Sequence, residues 1–442
     1  MSATSDLIDF VRTDHVLPAD ARAATLHLLG DTLAVGAAGR TAPGADGVLA
    51  AARGWGTGDD ARLIGSRDWL PAASAAFVNG FCIHSLEWDA VHEPAVVHAM
   101  SVVTAALGAA IDRMGGCDPE DALVALAVGV DIASGLGIAA TGPLRFFRPA
   151  TAGCIGAALA VARIEKVARL DDVLGLAYSS VAGTMQAHVE GSIALPLQIA
   201  NAARAAIAAV DLVKAGLTGP HDALEGPFGY FRLIDEGELA RYTRDLGRVW
   251  QVTRISVKPY PSGRASHAVL AALADLGLDP DTISVIEAQV PPLIARLVGR
   301  PLVEAMAPGY ARLCLPILAA LMLSEGCIDP RRFVPETLAD PALRALAGRL
   351  TITVDDNPDP NALSPQHLRI VLTDGSIISR AIAHTLGSPD APLSPVAVAA
   401  KRALARSLAG EIAGEIAEGI ADARLFDDPL GYFTRSGALE QR

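Results

Sequence analysis

From Pro18 to Ala215 the chain is a succession of apolar segments of helical length, each separated from the next by Gly, Pro or Asp. This succession limits the fold more than any other feature, because repeated apolar helices must bury against one another. The segments are Pro18–Ala38, Ala72–Glu87, Ser101–Met114, Pro119–Ile138, Ala150–Val161, Leu170–Met185 and Pro196–Ala215. Pro18 stands where a first helical turn tolerates it, and Gly39 supplies a stop. Ala and Gly are abundant and aromatic residues make up only 5%. Small side chains let helices approach closely, so residues 1 to 250 are expected to form a helical domain.

The pattern changes after Trp250. Val252–Val257, Ile283–Val290 and Leu350–Val354 alternate as strands do, and Leu368–Leu372, Asp374-Gly375 and Ser376–Ala381 spell a hairpin with an Asp-Gly turn. Helical patterns at Ala265–Leu276, Ala311–Ser324 and Pro341–Ala347 lie between them. Helicity returns over Val396–Ile420. The expected fold is mostly α, with a helical domain over 1–250 completed by 395–442 and an α+β domain over 251–394.

Of 442 residues, 51% are hydrophobic, and the net charge is −13. The acidic balance argues against nucleic acid or an anionic membrane as partner. The two longest apolar runs, Val96–Ile111 and Ala122–Leu144, are interrupted by His98 and by Asp131 with its glycines, so neither suits a membrane span. The first residues carry acids and no basic stretch, unlike a secretory signal. Cys82, Cys117, Cys154, Cys314 and Cys327 form no metal-ligand spacing and are expected as buried thiols of a soluble, cytoplasmic protein. No Gly-rich phosphate loop points to a nucleotide cofactor. So apolar a soluble chain is also expected to form a homodimer.

The densest polar cluster is His84-Ser-Leu-Glu87-Trp-Asp89-Ala-Val-His92-Glu93-Pro-Ala-Val-Val-His98. Three histidines and three acids in an apolar setting suit acid–base chemistry, since burial and paired charges move their pKa values toward neutrality. They equally suit a capped helix terminus with a hydrogen-bonded histidine. His92 and His98 lie six apart, which fits no common metal-ligand spacing, so no metal is expected. A second cluster, Lys258-Pro-Tyr260-Pro-Ser262-Gly-Arg264-Ala-Ser-His267, is a stiff turn leading into a helix. It suits a carboxylate or phosphate, or else an ordinary strand-to-helix connection.

Together with Asp31-Thr-Leu-Ala-Val, Ala76-Phe-Val-Asn-Gly, Glu190-Gly-Ser, Gly216-Leu-Thr-Gly-Pro, Leu-Glu-Gly226 and Ala311-Arg-Leu-Cys-Leu-Pro316, these clusters fall in an order that resembles the MmgE/PrpD family. That family includes 2-methylcitrate dehydratase, cis-aconitate decarboxylase and iminodisuccinate epimerase. The resemblance implies a smaller α+β lid over the helical domain, a homodimer, and an active site between domains without metal or organic cofactor. It implies proton transfer beside a carboxylate, followed by loss of water, loss of CO2 or reprotonation.

The same resemblance implies that His98 and His267 exchange protons with the substrate while Glu87 and Asp89 orient or charge an imidazole. Lys258, Arg148 and Ser262 would anchor a carboxylate, with Tyr260, His92, Gln198 and Leu195 completing the substrate site. Several positions depart from the family pattern. Its Asp-(Phe/Tyr)-Asp-Asp reads Glu87-Trp88-Asp89-Ala90, and the following Thr is Val91. One histidine is Arg148, a lysine is Leu195 and a second histidine is Gln198. Losing cations and gaining Leu favours a substrate with fewer carboxylates or a bulkier apolar part. The expected function is a cofactor-independent lyase or isomerase of a small organic acid, dehydration first. The alternative is a catalytically silent member that binds a small acid or serves as a dimeric partner.

Overall fold

The computed structural model describes residues 2–359, 361–412 and 422–434. Its larger body is built on six long helices: α1 (Ala19–Ala38), α2 (Ala72–His84), α3 (Ala99–Arg113), α4 (Pro119–Ala139), α5 (Arg148–Ile164) and α6 (Ala194–Lys214). Helix α5 is central and packs against α3, α4 and α6, while α2 bridges α3 and α6. Glycine makes the closest of these approaches possible. A Cβ on Gly156 of α5 would stand 2.4 Å from the Gly129 carbonyl of α4.

Local chemistry sets the helix ends. Asp118 caps α4 by accepting from the Glu120 and Asp121 amides, and Pro119 occupies the first turn, where no backbone donor is needed. Among the described residues α4 is the one helix long and apolar enough to cross a membrane, but 94% of its most apolar stretch is buried inside the protein. It is the core of the bundle.

A second apolar core lies between residues 265 and 370. Strands β1 (Ile283–Val290), β2 (Leu350–Val354), β3 (Gln366–Leu372) and β4 (Ile377–Ile382) form a sheet in the order β2-β1-β3-β4. Ile286 of β1 pairs in parallel with Leu350 and in antiparallel with Ile370. From Ile286 onward β1 alternates, burying Ile286, Ala288 and Val290 beneath helices α7 (His267–Leu276) and α8 (Leu315–Glu325). Helix α9 (Pro395–Ile412) returns to α1, placing Ala405 and Leu408 in the first core.

Three sequence expectations are corrected. The strand expected at Val252–Val257 is only Ile255–Ser256, because Gln251–Arg254 wind into a 3-10 turn whose first amide is held by Asp131 at 2.7 Å. Helix Leu170–Tyr178 stops short of Met185. Helix α8 begins at Leu315, because Pro316 cannot donate within a continuous helix from Ala311. Residues 413–420 of the C-terminal helical pattern lie outside the described residues. Of the five free thiols, Cys82, Cys154 and Cys314 are buried, but Cys117 is half-buried and Cys327 exposed.

Candidate active site

The acid–histidine cluster forms where α2 ends and α3 begins. His84 is the last residue of α2, and His98 immediately precedes α3. Between them the chain makes a tight reversal, and Val91–His92 pairs antiparallel with Ile255–Ser256, tying this loop to the start of the second region. Glu87 sits at φ 54°, a left-handed conformation uncommon for a residue with a side chain. It is held there from outside: the buried Lys258 ammonium donates to the Glu87 carbonyl at 3.0 Å and to its carboxylate at 3.3 Å. Lys401 of α9 holds the next carbonyl, that of Trp88, at 3.1 Å while paired with Asp31 of α1.

Asp89 is fully buried at the centre. His84 Nδ1 lies 2.9 Å from its Oδ2, His98 Nδ1 lies 3.0 Å from the same oxygen, and the Ser101 hydroxyl donates to it as well. The two imidazoles meet edge to face, 4.8 Å between centroids. His84 Nε2 is 3.5 Å from Glu87 Oε1. His84, Glu87 and His98 then line a cavity of about 70 Å³, which holds on the order of five water molecules. Val96, Phe147, Met185 and Leu313 contribute apolar wall, and Arg264 and His188 add polar groups.

The environment separates the two imidazoles. Burial works against a proton on His84, but the Asp89 and Glu87 carboxylates outweigh it and its pKa rises. Burial prevails at His98 despite Asp89, and its pKa falls. Glu87 is buried, yet Lys258 and both imidazoles bring it down to about 2. Asp89 is likewise buried and is held well below the usual range by His84 and His98. With His84 charged, one ammonium and one imidazolium balance two carboxylates. A neutral base beside a charged acid is the arrangement proton transfer needs. His84, Asp89 and His98 are also close enough to gather around a metal ion, which would displace the bonds Asp89 now accepts.

Of the residues named from the sequence, His98 and Glu87 reach the cavity and Asp89 lies behind them. His267 does not line it, correcting the expectation that it faces His98. Its Nε2 is taken up by Ser262, 3.1 Å from the hydroxyl and 3.2 Å from the carbonyl, and Arg264 approaches Nδ1 at 3.5 Å. Arg148 is not free to grip a substrate: it makes a two-point contact with Asp235, at 2.6 and 3.2 Å, and donates to the Ala95 and Gly142 carbonyls. His92 donates toward Gln251 Oε1 at 3.2 Å and accepts from the Ala95 amide, so it braces the loop.

Lys258 is consumed by Glu87, and Ser262 by Ser266 and His267. Tyr260 packs on the His267 ring, Leu195 joins the first core, and Gln198 is half-buried beside Gly183. None of these lines the cavity. His84, Arg264 and His188 do, and the sequence alone had not assigned them roles. His84 and Arg264 lay within the two polar clusters, whereas His188 is a solitary histidine just ahead of the Glu190-Gly-Ser motif.

Residues 4–243 match the MmgE/PrpD N-terminal domain and residues 260–422 the MmgE/PrpD C-terminal domain. The chain belongs to the MmgE/PrpD family. It is 26% identical to the cis-aconitate decarboxylase-like protein oryM of Aspergillus oryzae (strain ATCC 42149 / RIB 40) over 84% of this chain and 83% of that one. It is 27% identical to the cis-aconitate decarboxylase of Homo sapiens over 70% of this chain and 67% of that one.

Proposed function

We propose that this protein is a lyase or isomerase that forms or discharges a carbanion beside the carboxylate of a small organic acid. The observation that carries the reading is the His84–Asp89–His98 arrangement at a mostly apolar cavity. His98, neutral, takes the proton from the carbon next to the carboxylate, and the C–H electron pair passes into an enolate-like state. In dehydration that pair forms the double bond as hydroxide departs with a proton from His84. In decarboxylation the C–CO2 bond supplies the pair, and His84 protonates the carbon. In epimerisation a proton returns to the opposite face of the carbanion. Charged groups fixed before the reaction lower the cost of the carbanion.

The names of the relatives favour decarboxylation over dehydration. The cavity wall favours a substrate with fewer carboxylates than cis-aconitate, because Arg264 is already paired with Glu93 at 2.7 Å and much of the lining is apolar. The reading includes the smaller body closing over the cavity as a lid, a homodimer and no cofactor. Solvent deuterium exchange into a panel of mono-, di- and tricarboxylates is the test. Exchange or product formation with a mono- or dicarboxylate is expected. Rapid turnover of cis-aconitate overturns the substrate assignment, and calorimetric binding without exchange overturns the enzymatic one.

A further inference from the structure

A third imidazole lines the cavity. His188 sits on a short helical turn, Gln186–Glu190, which ends at Gly191 with φ 65°. The turn is pressed against Tyr310: a Cβ on Gly191 would lie 2.5 Å from the Tyr310 Cα. The Tyr310 ring in turn stacks with the Arg300 guanidinium, 4.9 Å from the ring centroid. Arg300 Nη2 donates to the His188 carbonyl and also stands 3.4 Å from His188 Nδ1.

A guanidinium has only donors, so Nδ1 facing it presents a lone pair and the ring proton sits on Nε2. Nε2 makes no bond within the protein among the described residues. Burial and the Arg300 charge hold the His188 pKa down to about 4, which keeps the ring neutral. This residue therefore offers the cavity an N–H and no basic lone pair. It cannot duplicate His98. Behind it, Arg300 has no salt-bridge partner among the described residues, and its Nη1 is buried there without a hydrogen bond. At His188 its charge outweighs that of the nearby Glu87 carboxylate, and Arg296 adds to it, which favours an anion there.

We propose that His188 holds a carboxylate of the substrate through its Nε2–H, with Arg300 fixing the tautomer and supplying charge from behind. This rests on the small-acid reading of the cavity. It divides the work: His98 and His84 move protons, and His188 binds.

Crotonate, maleate and cis-aconitate, titrated calorimetrically into the full chain and its variants, provide the test. At least one is expected to bind wild type, with affinity falling about tenfold or more in His188→Leu. His188→Gln, which keeps a donor, is expected to stay within about threefold. Histidine 15N NMR is expected to show a neutral Nε2–H tautomer for His188 between pH 5.5 and 8, giving way to a tautomer mixture in Arg300→Met. A charged ring at pH 6.5, an Nδ1–H tautomer, or unchanged affinity in a folded His188→Leu overturns the proposal. If His188→Leu does not fold, the tautomer decides. Binding of an acid with no effect at His188 defeats this proposal alone, whereas no binding by wild type defeats the small-acid reading and this proposal with it.

Discussion

His84 and His98 place their Nδ1 atoms on one and the same oxygen of Asp89, at 2.9 and 3.0 Å, although one ends a helix and the other precedes the next. A carboxylate shared in this way does not serve both rings equally, because Glu87 adds its charge at His84 while Lys258 weighs against a proton on His98. One imidazole is driven toward its charged form and the other toward its neutral form.

Replacing His98 with Gln removes the base while preserving a polar side chain of similar size. Exchange of solvent deuterium into the substrate is expected to fall by about 100-fold or more. Far-UV circular dichroism and the urea midpoint serve as controls. Exchange at the wild-type rate would assign the base elsewhere.

The pH dependence of kcat/KM is expected to be bell-shaped. His98 has a pKa below its ordinary 6.5 and must be unprotonated, so activity falls on the acid side as pH drops below that lowered value. His84 has a pKa above 6.5 and must be protonated, so activity falls on the alkaline side as pH rises past its raised value. The limbs belong to the coupled pair. In His84→Gln the alkaline limb should disappear; a profile that keeps it excludes His84 as the acid.

Lys258→Met would leave Glu87 and Asp89 buried with their ammonium removed. Losing one partner of a buried ion pair costs about 3–5 kcal/mol, to be read from urea denaturation. Adding Glu87→Gln should recover part of that loss, because the stranded charge disappears with it. A single variant as stable as wild type would mean that water reaches the cluster.

Asp131 gives a separate pH signal. It is buried, accepts from the Tyr242 hydroxyl at 2.6 Å and the Gln251 amide at 2.7 Å, and its pKa is still pushed up to about 7. The unfolded chain releases this proton near the ordinary value, so the folded state loses stability as pH rises from about 4 toward 7. Between pH 5 and 8 wild type should lose on the order of 2 kcal/mol relative to Asp131→Asn. A constant difference between the two proteins across that range would refute the assignment.

Much of the fold was legible because it depends on short-range chemistry. The apolar periods of α4, α5 and α6, the Asp118-Pro119 start and the Asp-Gly hairpin are local patterns, and the structure follows them to within a few residues. Where a distant partner competed, the local signal lost: Asp131 reaching across to the Gln251 amide shortens an apparent strand to two residues.

For the site, the sequence alone determined the helical architecture and the polar cluster from His84 to His98. Residue type and spacing carry that much, since helix burial and charge density are properties of neighbouring positions. Only the tertiary structure decided which polar side chains are free. Arg148, Lys258 and His267 looked available, but Asp235, Glu87 and Ser262 claim them from 87, 171 and 5 residues away. His188 becomes a cavity residue through Arg300, 112 positions later. Hydrogen bonds and ion pairs are satisfied in space, so a polar side chain's availability depends on the partners the fold brings to it.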